Sequence, residues 1–112
     1  MSSKLFSVIT PVFNGATYIK QTIESIINQN FKNFEYIVVD GESTDGTKEI
    51  INQYTSKIDK FISEKDEGMY DAIDKAIKIS TGKYILWVNS DDVLVNNKTL
   101  ENLSNFLNKK EI

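Results

Sequence analysis

Two hydrophobic periods alternate along the chain. Residues 5–10 (LFSVIT) form a short apolar, partly β-branched run, closed by Pro11 and the Asn14-Gly15 turn signal, and predict a first strand. Over residues 17–30, Ile19, Ile23, Ile26 and Ile27 recur at helical spacing, which predicts an amphipathic helix. Residues 35–40 (EYIVVD) are apolar almost without a break and predict a second strand. A second helix is expected over residues 47–58, with Ile50, Ile51, Tyr54 and Ile58 on one face and Asp45 or Thr47 as its cap. Residues 61–63 make a weaker third strand. Residues 69–79 predict a helix with Met69, Ile73, Ala76 and Ile77 inward, stopped at Ser80-Thr81-Gly82. Residues 83–88 (KYILWV) are the fourth strand, and Leu100, Leu103, Phe106 and Leu107 mark a last helix that runs into Lys109-Lys110. No repeat, low-complexity tract or linker interrupts the pattern, so residues 1–112 read as one domain.

Continuous apolar strands alternating with helices imply right-handed βαβ crossovers and a parallel sheet covered on both faces. The expected class is therefore α/β, a Rossmann-like parallel sheet in βαβαβαβα order. In such sheets a ligand lies beyond the carboxyl ends of the strands, near the point where strand order reverses. The four expected ends carry Thr10 to Gly15, Asp40 to Gly46, Glu64 to Asp71, and Asn89-Ser90-Asp91-Asp92. Acids crowd the last three. Carboxylates gathered on one rim repel each other unless a cation or a hydrogen-bonding ligand compensates them.

Composition narrows the chemistry. The chain has 112 residues, 40% hydrophobic and 26% charged, which excludes disorder, collagen and coiled coil. It has no cysteine, so disulfides, thiolate metal sites and cysteine nucleophiles are excluded. It has no histidine, so no imidazole base or Ser-His-Asp triad is available within it. Hard oxygen donors alone favour Mg2+ or Mn2+ over zinc, and such an ion with open positions would hold a diphosphate. The net charge of −3 argues against nucleic acid as a partner. No signal-peptide layout follows Met1-Ser2-Ser3-Lys4, and no apolar stretch approaches the ~20 residues that cross a bilayer, so a soluble, cytoplasmic protein is expected.

Each candidate also has a plainer reading. Asp45, just before Thr47, reads first as a helix cap. Asp40 ends a buried strand, where an unpartnered carboxylate is costly, so a functional partner competes with a turn role. Asp91-Asp92 reads equally as a turn before a helix. Phe13 could be core, and Tyr84 and Trp87, within a strand, are expected to be core. Tyr70 and Asp71 open a helix, where the dipole favours an acid without any ligand. The lysines read as a solvated face. Familiar phosphate motifs do not fit. Gly41 and Gly46 have Walker A spacing, but Thr47-Lys48 stands where Lys-Thr or Lys-Ser is required, and no G-x-G-x-x-G follows any strand. Asp40-Gly41-Glu42 is a poor haloacid-type nucleophile motif, and Thr10-Pro11 stands where a receiver domain has its acidic pair.

Phe6-Ser7-Val8-Ile9-Thr10-Pro11-Val12-Phe13-Asn14 resembles the opening strand of family 2 glycosyltransferases with the GT-A fold. The run from Glu35 to Thr47 resembles that family's second strand and loop, and Asp66 to Ala76 its third loop and helix. Asn89-Ser90-Asp91-Asp92 stands where its metal-binding DxD-type motif stands, with Asn89 in place of the first aspartate. The likeness covers nearly the whole chain in order and spacing. It implies that Pro11 and Phe13 line the nucleobase pocket, with backbone contacts from Thr10. It implies that Asp40 accepts a hydrogen bond from a ring nitrogen of uracil or another base. Asp91 would lie near the ribose or the metal, and Asp92 would coordinate Mn2+ or Mg2+ on the donor diphosphate. Gly68 to Asp71 would flank the diphosphate or the sugar.

The resemblance further implies an inverting, metal-dependent transfer from a nucleotide-diphospho-sugar, a UDP-sugar foremost, to a hydroxyl of a glycan or lipid-linked acceptor. The catalytic base belongs to the family's second half; it is expected beyond Ile112, and no residue of this sequence matches it. Family members are about twice this length, so the chain is expected to be the N-terminal, donor-binding part. Association with the cytoplasmic face of a membrane is an expectation for the longer protein, and a homodimer covering exposed sheet for this one. The alternative is a non-catalytic nucleotide- or metal-binding α/β module. A remnant that binds nothing is the third reading.

Overall fold

In a computed structural model the chain forms β1 (Phe6–Val12), α1 (Ile19–Ile27), β2 (Phe34–Asp40), α2 (Thr47–Asn52), a 3-10 turn (Thr55–Lys57), β3 (Lys60–Ser63), α3 (Met69–Ile79), β4 (Tyr84–Trp87) and α4 (Thr99–Lys110). The structure describes residues 4–110. Met1-Ser2-Ser3, the side chain of Lys110, and Glu111-Ile112 lie outside the described residues, and so does the base expected beyond Ile112. All four strands pair in parallel, in the order β3-β2-β1-β4. The chain steps outward from β1 to β3, then returns through α3 to place β4 on the other side of β1. Strand order therefore reverses between β1 and β4, as the α/β reading requires for a ligand crevice.

Alternation along the strands builds two apolar layers. Phe6, Val8 and Val12 of β1 and Tyr36 and Val38 of β2 pack with Ile19, Ile23 and Ile26 of α1, Ile51 of α2 and Leu100 of α4. Ile9, Ile37 and Val39 face the opposite way and pack with Ala72, Ile73 and Ala76 of α3. The two central strands thus bury both faces, which explains their unbroken apolar sequences.

The second layer takes in Ile62 of β3 but does not extend over β4. Over β4, Ile85 and Trp87 remain 42% and 39% exposed, so Trp87 is not the core residue expected. Its ring meets Tyr70 edge-on at 6.0 Å, and its indole N–H donates to Asn89 Oδ1 at 2.6 Å. In α3 the inward stripe is Ala72, Ile73 and Ala76, two of them small enough to bring the helix close to the sheet; Met69 and Ile77, expected inside, stand half-exposed. In α4 Leu100 is buried and Leu103 and Leu107 pack on the core, whereas Phe106, also expected inside, is exposed.

Strand β1 runs through Pro11 to Val12, beyond the expected stop. The carbonyl of Ile9 accepts the Val88 N–H, and that of Val12 accepts the Gly41 N–H. By alternation, the N–H that proline lacks would face the side of β4, whose last paired residue, Trp87, lies opposite Ile9. Proline is tolerated there because no ladder bond is lost. The helix expected over residues 47–58 breaks after Asn52, in a stretch where Asn52, Tyr54, Thr55 and Ser56 all have middling to poor helix propensity. Tyr54 instead donates its hydroxyl to Glu24 Oε2 at 2.7 Å, tying this stretch to α1.

Candidate functional site

The carboxyl ends of β1, β2 and β4 and the loop after β3 surround a crevice of about 870 Å3, lined by residues that include Pro11, Phe13, Gly41, Asp66, Met69 and Asp91. This volume lies in the range of small-molecule and cofactor sites.

The first loop is fixed by the second. Asn14 N–H donates to Ser43 Oγ (2.7 Å), Gly15 N–H to Thr47 Oγ1 (3.0 Å) and Ala16 N–H to Asp45 Oδ2 (3.1 Å). In return Thr44 N–H donates to Asn14 Oδ1 at 2.8 Å. Asp45 also accepts from the Thr47 hydroxyl and N–H, which hold its carboxyl below the usual range. It is not the cap expected: the N-cap of α2 is Gly46, in a left-handed conformation that places Asp45 one residue ahead of the helix end. Three consecutive amides that would otherwise face water are thus held by hydroxyls and a carboxylate. Phe13 projects from this clamped loop, 64% exposed, against the crevice.

Asp40 and Thr10, expected in the donor pocket, lie beneath it rather than in its lining. Asp40 is fully buried; its carboxylate accepts from the Ser43 hydroxyl and N–H and from the Ser63 hydroxyl. These three bonds offset its desolvation and make it the support of Ser43, and through Ser43 of the first loop. Thr10 is buried as well, and its hydroxyl accepts from the Tyr36 phenol at 2.9 Å. Burial pushes the Tyr36 hydroxyl far above its ordinary range, so it stays a donor.

The segment after β4 is held by α1 and the turn that follows it. Thr22 Oγ1 lies 2.9 Å from the Ser90 carbonyl and 2.6 Å from that of Asp92; Ser25 Oγ accepts the Leu94 N–H, and Gln29 bonds the Asn96 carbonyl and the Leu100 N–H. Asp91 lines the crevice, whereas the Asp92 side chain is exposed outside that lining. Among the described residues no three acidic side chains converge as a metal cluster. Two adjacent carboxylates on one rim nevertheless suit Mg2+ or Mn2+, which take one or two protein carboxylates and complete their shell with phosphate oxygens and water.

Gly68 and Met69 line the crevice, but Tyr70 and Asp71 do not. Asp71 accepts the Glu67 N–H, which holds its carboxyl below the usual range, and pairs with Lys75 at 3.5 Å. It is a helix-start residue, in keeping with its plainer reading. The lining also includes Tyr18, Glu42, Lys65 and Asp66, which carried no individual role in the sequence. Asp66 and Glu42 are marked there only as members of an acidic stretch, and only the fold separates them from their neighbours.

A doubly wound parallel sheet with an acidic-rimmed crevice at its reversal point is a Rossmann-like α/β domain. The family model for glycosyl transferase family 2 matches residues 7–112, and the chain belongs to that family. It is 41% identical over 107 residues to an uncharacterized glycosyltransferase of Rickettsia prowazekii (strain Madrid E), covering 96% of this chain and 33% of that one. It is 32% identical over 114 residues to the PGL/p-HBAD biosynthesis glycosyltransferase Rv2957 of Mycobacterium tuberculosis (strain ATCC 25618 / H37Rv), covering 99% and 44%. The crystal structure of S. aureus TarS 1-349 in complex with UDP-GlcNAc superposes with a TM-score of 0.85 at 33% identity, over 93% of this chain and 31% of that one. The mannosyltransferase PcManGT of Pyrobaculum calidifontis, 24% identical with a TM-score of 0.84, shares the fold. The chain spans about a third of the length of the first of these relatives and of TarS 1-349.

Proposed function

We propose that this chain is the donor-binding part of a glycosyltransferase that moves a sugar from a nucleotide diphosphate to an acceptor hydroxyl. The observation that carries the reading is the crevice itself: an aromatic ring on a clamped loop at one strand end, the Asp91 carboxylate at the next, and room for a nucleotide-sugar between. The likeness to TarS, whose structure holds UDP-GlcNAc, supports a nucleotide-sugar as the ligand.

In this reading Pro11 and Phe13 bound the nucleobase pocket, with Phe13 offering a ring face to the base. Thr10 and Asp40 hold that pocket's floor from below. Asp91 and Asp92 would hold Mg2+ or Mn2+ against the donor diphosphate, with Asp91 nearer the bound nucleotide. Such an ion, when bound, offsets the charge that develops on the departing diphosphate. The transfer is inverting: the acceptor oxygen bonds to the anomeric carbon from the side opposite the bond that breaks. The electron pair leaves with the diphosphate, and the hydroxyl proton passes to a base beyond Ile112. The product belongs to polysaccharide or glycolipid assembly.

The test is a calorimetric titration of UDP, GDP and dTDP, with and without Mn2+, on the native chain and on Asp91→Ala and Asp92→Ala. Metal-dependent binding that either substitution weakens by about tenfold or more is the expected result. A folded chain that binds none of the three nucleotides overturns the reading.

A further inference from the structure

The crevice contains one anchored carboxylate that the reading above leaves unused. Asp66, half-buried in the loop between β3 and α3, accepts the Gly68 N–H on Oδ1 at 3.1 Å. Its carboxylate lies directly over Gly41. A β-carbon at position 41 would stand 2.9 Å from Asp66 Oδ2 and 3.2 Å from Oδ1. Gly41 does not have a left-handed backbone, so its lack of a side chain serves space rather than conformation. The end of β2 is bare because this carboxylate occupies the place.

Resting on the nucleotide reading, we propose that Asp66 reads the nucleobase, selecting bases that present a ring N–H (uracil, thymine, guanine) over those that present a bare ring nitrogen (cytosine, adenine). The strand order gives the direction. Asp91, after β4, marks the diphosphate end, and Gly41 with Asp66 lies two strands away, past the Phe13 loop after β1. Two strand spacings are about 10 Å, comparable with the reach from diphosphate to base in an extended nucleotide. At the diphosphate a further carboxylate would repel the ligand; at the base it meets no like charge.

An ionised carboxylate is acceptor-only. Against uracil N3–H or guanine N1–H it makes a charge-assisted hydrogen bond; against cytosine N3 or adenine N1 two lone pairs face each other. Lys65, also in the lining, is a donor of the kind that the carbonyls flanking those ring N–H groups accept. Asp40 is not available for this task, because its oxygens are enclosed by Ser43 and Ser63.

The experiment compares UDP, dTDP, GDP, CDP and ADP in the presence of Mn2+, by calorimetry, on the native chain and on Asp66→Asn. The native chain is expected to bind at least one of UDP, dTDP and GDP about 10- to 100-fold more tightly than CDP or ADP, the range of one hydrogen bond to a charged group. Asp66→Asn places an N–H donor at the same point, so the preference should collapse and CDP affinity should rise. A purely structural Asp66 would weaken all nucleotides alike and leave the ratio unmoved. Metal-dependent binding with an unchanged ratio in Asp66→Asn overturns this inference while leaving the nucleotide reading standing; no nucleotide binding by the native chain overturns both. Should Asp66→Asn fail to fold, N3-methyl-UDP on the native chain decides. Binding at least about tenfold weaker than UDP supports a base-reading carboxylate, and equal binding rejects it.

Discussion

The Thr22 hydroxyl stands 2.6 Å from the carbonyl of Asp92, seventy residues away, and 2.9 Å from that of Ser90. One buried side chain of α1 thereby sets where the acidic turn after β4 sits on the rim. The bond is to the backbone, so the carboxylates of Asp91 and Asp92 stay free for a ligand while their peptide units are held. Thr22→Val keeps the branched shape and removes the donor, leaving two partly buried carbonyls without it. Stability should fall by about 1–3 kcal/mol in urea denaturation. Metal-dependent nucleotide affinity should fall several-fold at a temperature where the variant remains folded. Full affinity in the variant would remove α1 from the positioning of this turn.

Gly82 lies at a backbone crossing between α3 and β4. A β-carbon there would come within 2.4 Å of Ser7 N and 2.5 Å of the Phe6 carbonyl carbon, both main-chain atoms of β1 that cannot rotate away. The Gly82 N–H meanwhile donates to Ser7 Oγ at 2.7 Å. Gly82→Ala must push β4 off β1 and is expected to cost more than ~3 kcal/mol, the exceptional end of single substitutions. Chemical denaturation measures it, and a loss under about 1 kcal/mol would show that the crossing relaxes freely.

Glu35 gathers the same region from the start of β2. Burial alone would raise its carboxyl, but hydrogen bonds from the Ser7 hydroxyl and the Thr81 N–H, with Lys60 at 3.0 Å, outweigh it and bring it from 4.5 down to about 2. A carboxyl lowered in the fold stabilises the fold fully above its unfolded value and loses that contribution as pH falls. The window is therefore from about 4.5 to about 2, and the contribution is on the order of 3 kcal/mol. Glu35→Gln should be less stable than the native chain at neutral pH, with the difference shrinking as the lower end of that window is approached. Parallel pH–stability curves for the two proteins would contradict the assignment.

The strands and the order of elements were legible because buried parallel strands are apolar on both faces and need no tertiary information to be seen. Residues 69–79 read correctly as α3 for a similar reason, with its glycine before and its Ser-Thr-Gly after. What stayed hidden depended on partners far along the chain. Thr22 and Ser25 on α1 and Gln29 just past its end repeat at helical spacing, a polar stripe beside an apolar one, but nothing local says that it binds the segment after β4. Asp40 and Asp66 are alike as letters, each an acid at a strand end. Only the fold shows that Ser43 and Ser63 enclose one while the other reaches the crevice. Trp87 misled because strand alternation assigns it a face but cannot say whether a helix lies over that face.

Gly41 offers a substitution that separates folding from binding. The nearest neighbour of the new methyl group of Gly41→Ala would be the carboxylate of Asp66, 2.9 Å away at Oδ2, and a side-chain tip can swing aside. The backbone at 41 needs no left-handed conformation, so an alanine is free of strain there. Stability should therefore change by less than about 1 kcal/mol. The carboxylate, however, can no longer rest over the end of β2, and the base would lose its partner. Nucleotide affinity is expected to drop about tenfold or more with an unchanged denaturation midpoint, and the discrimination between UDP and CDP should narrow with it. The same loss for UDP and CDP would mean that position 41 matters as space for the nucleotide itself. Unchanged affinity for both would show that the carboxylate's resting place has no part in binding.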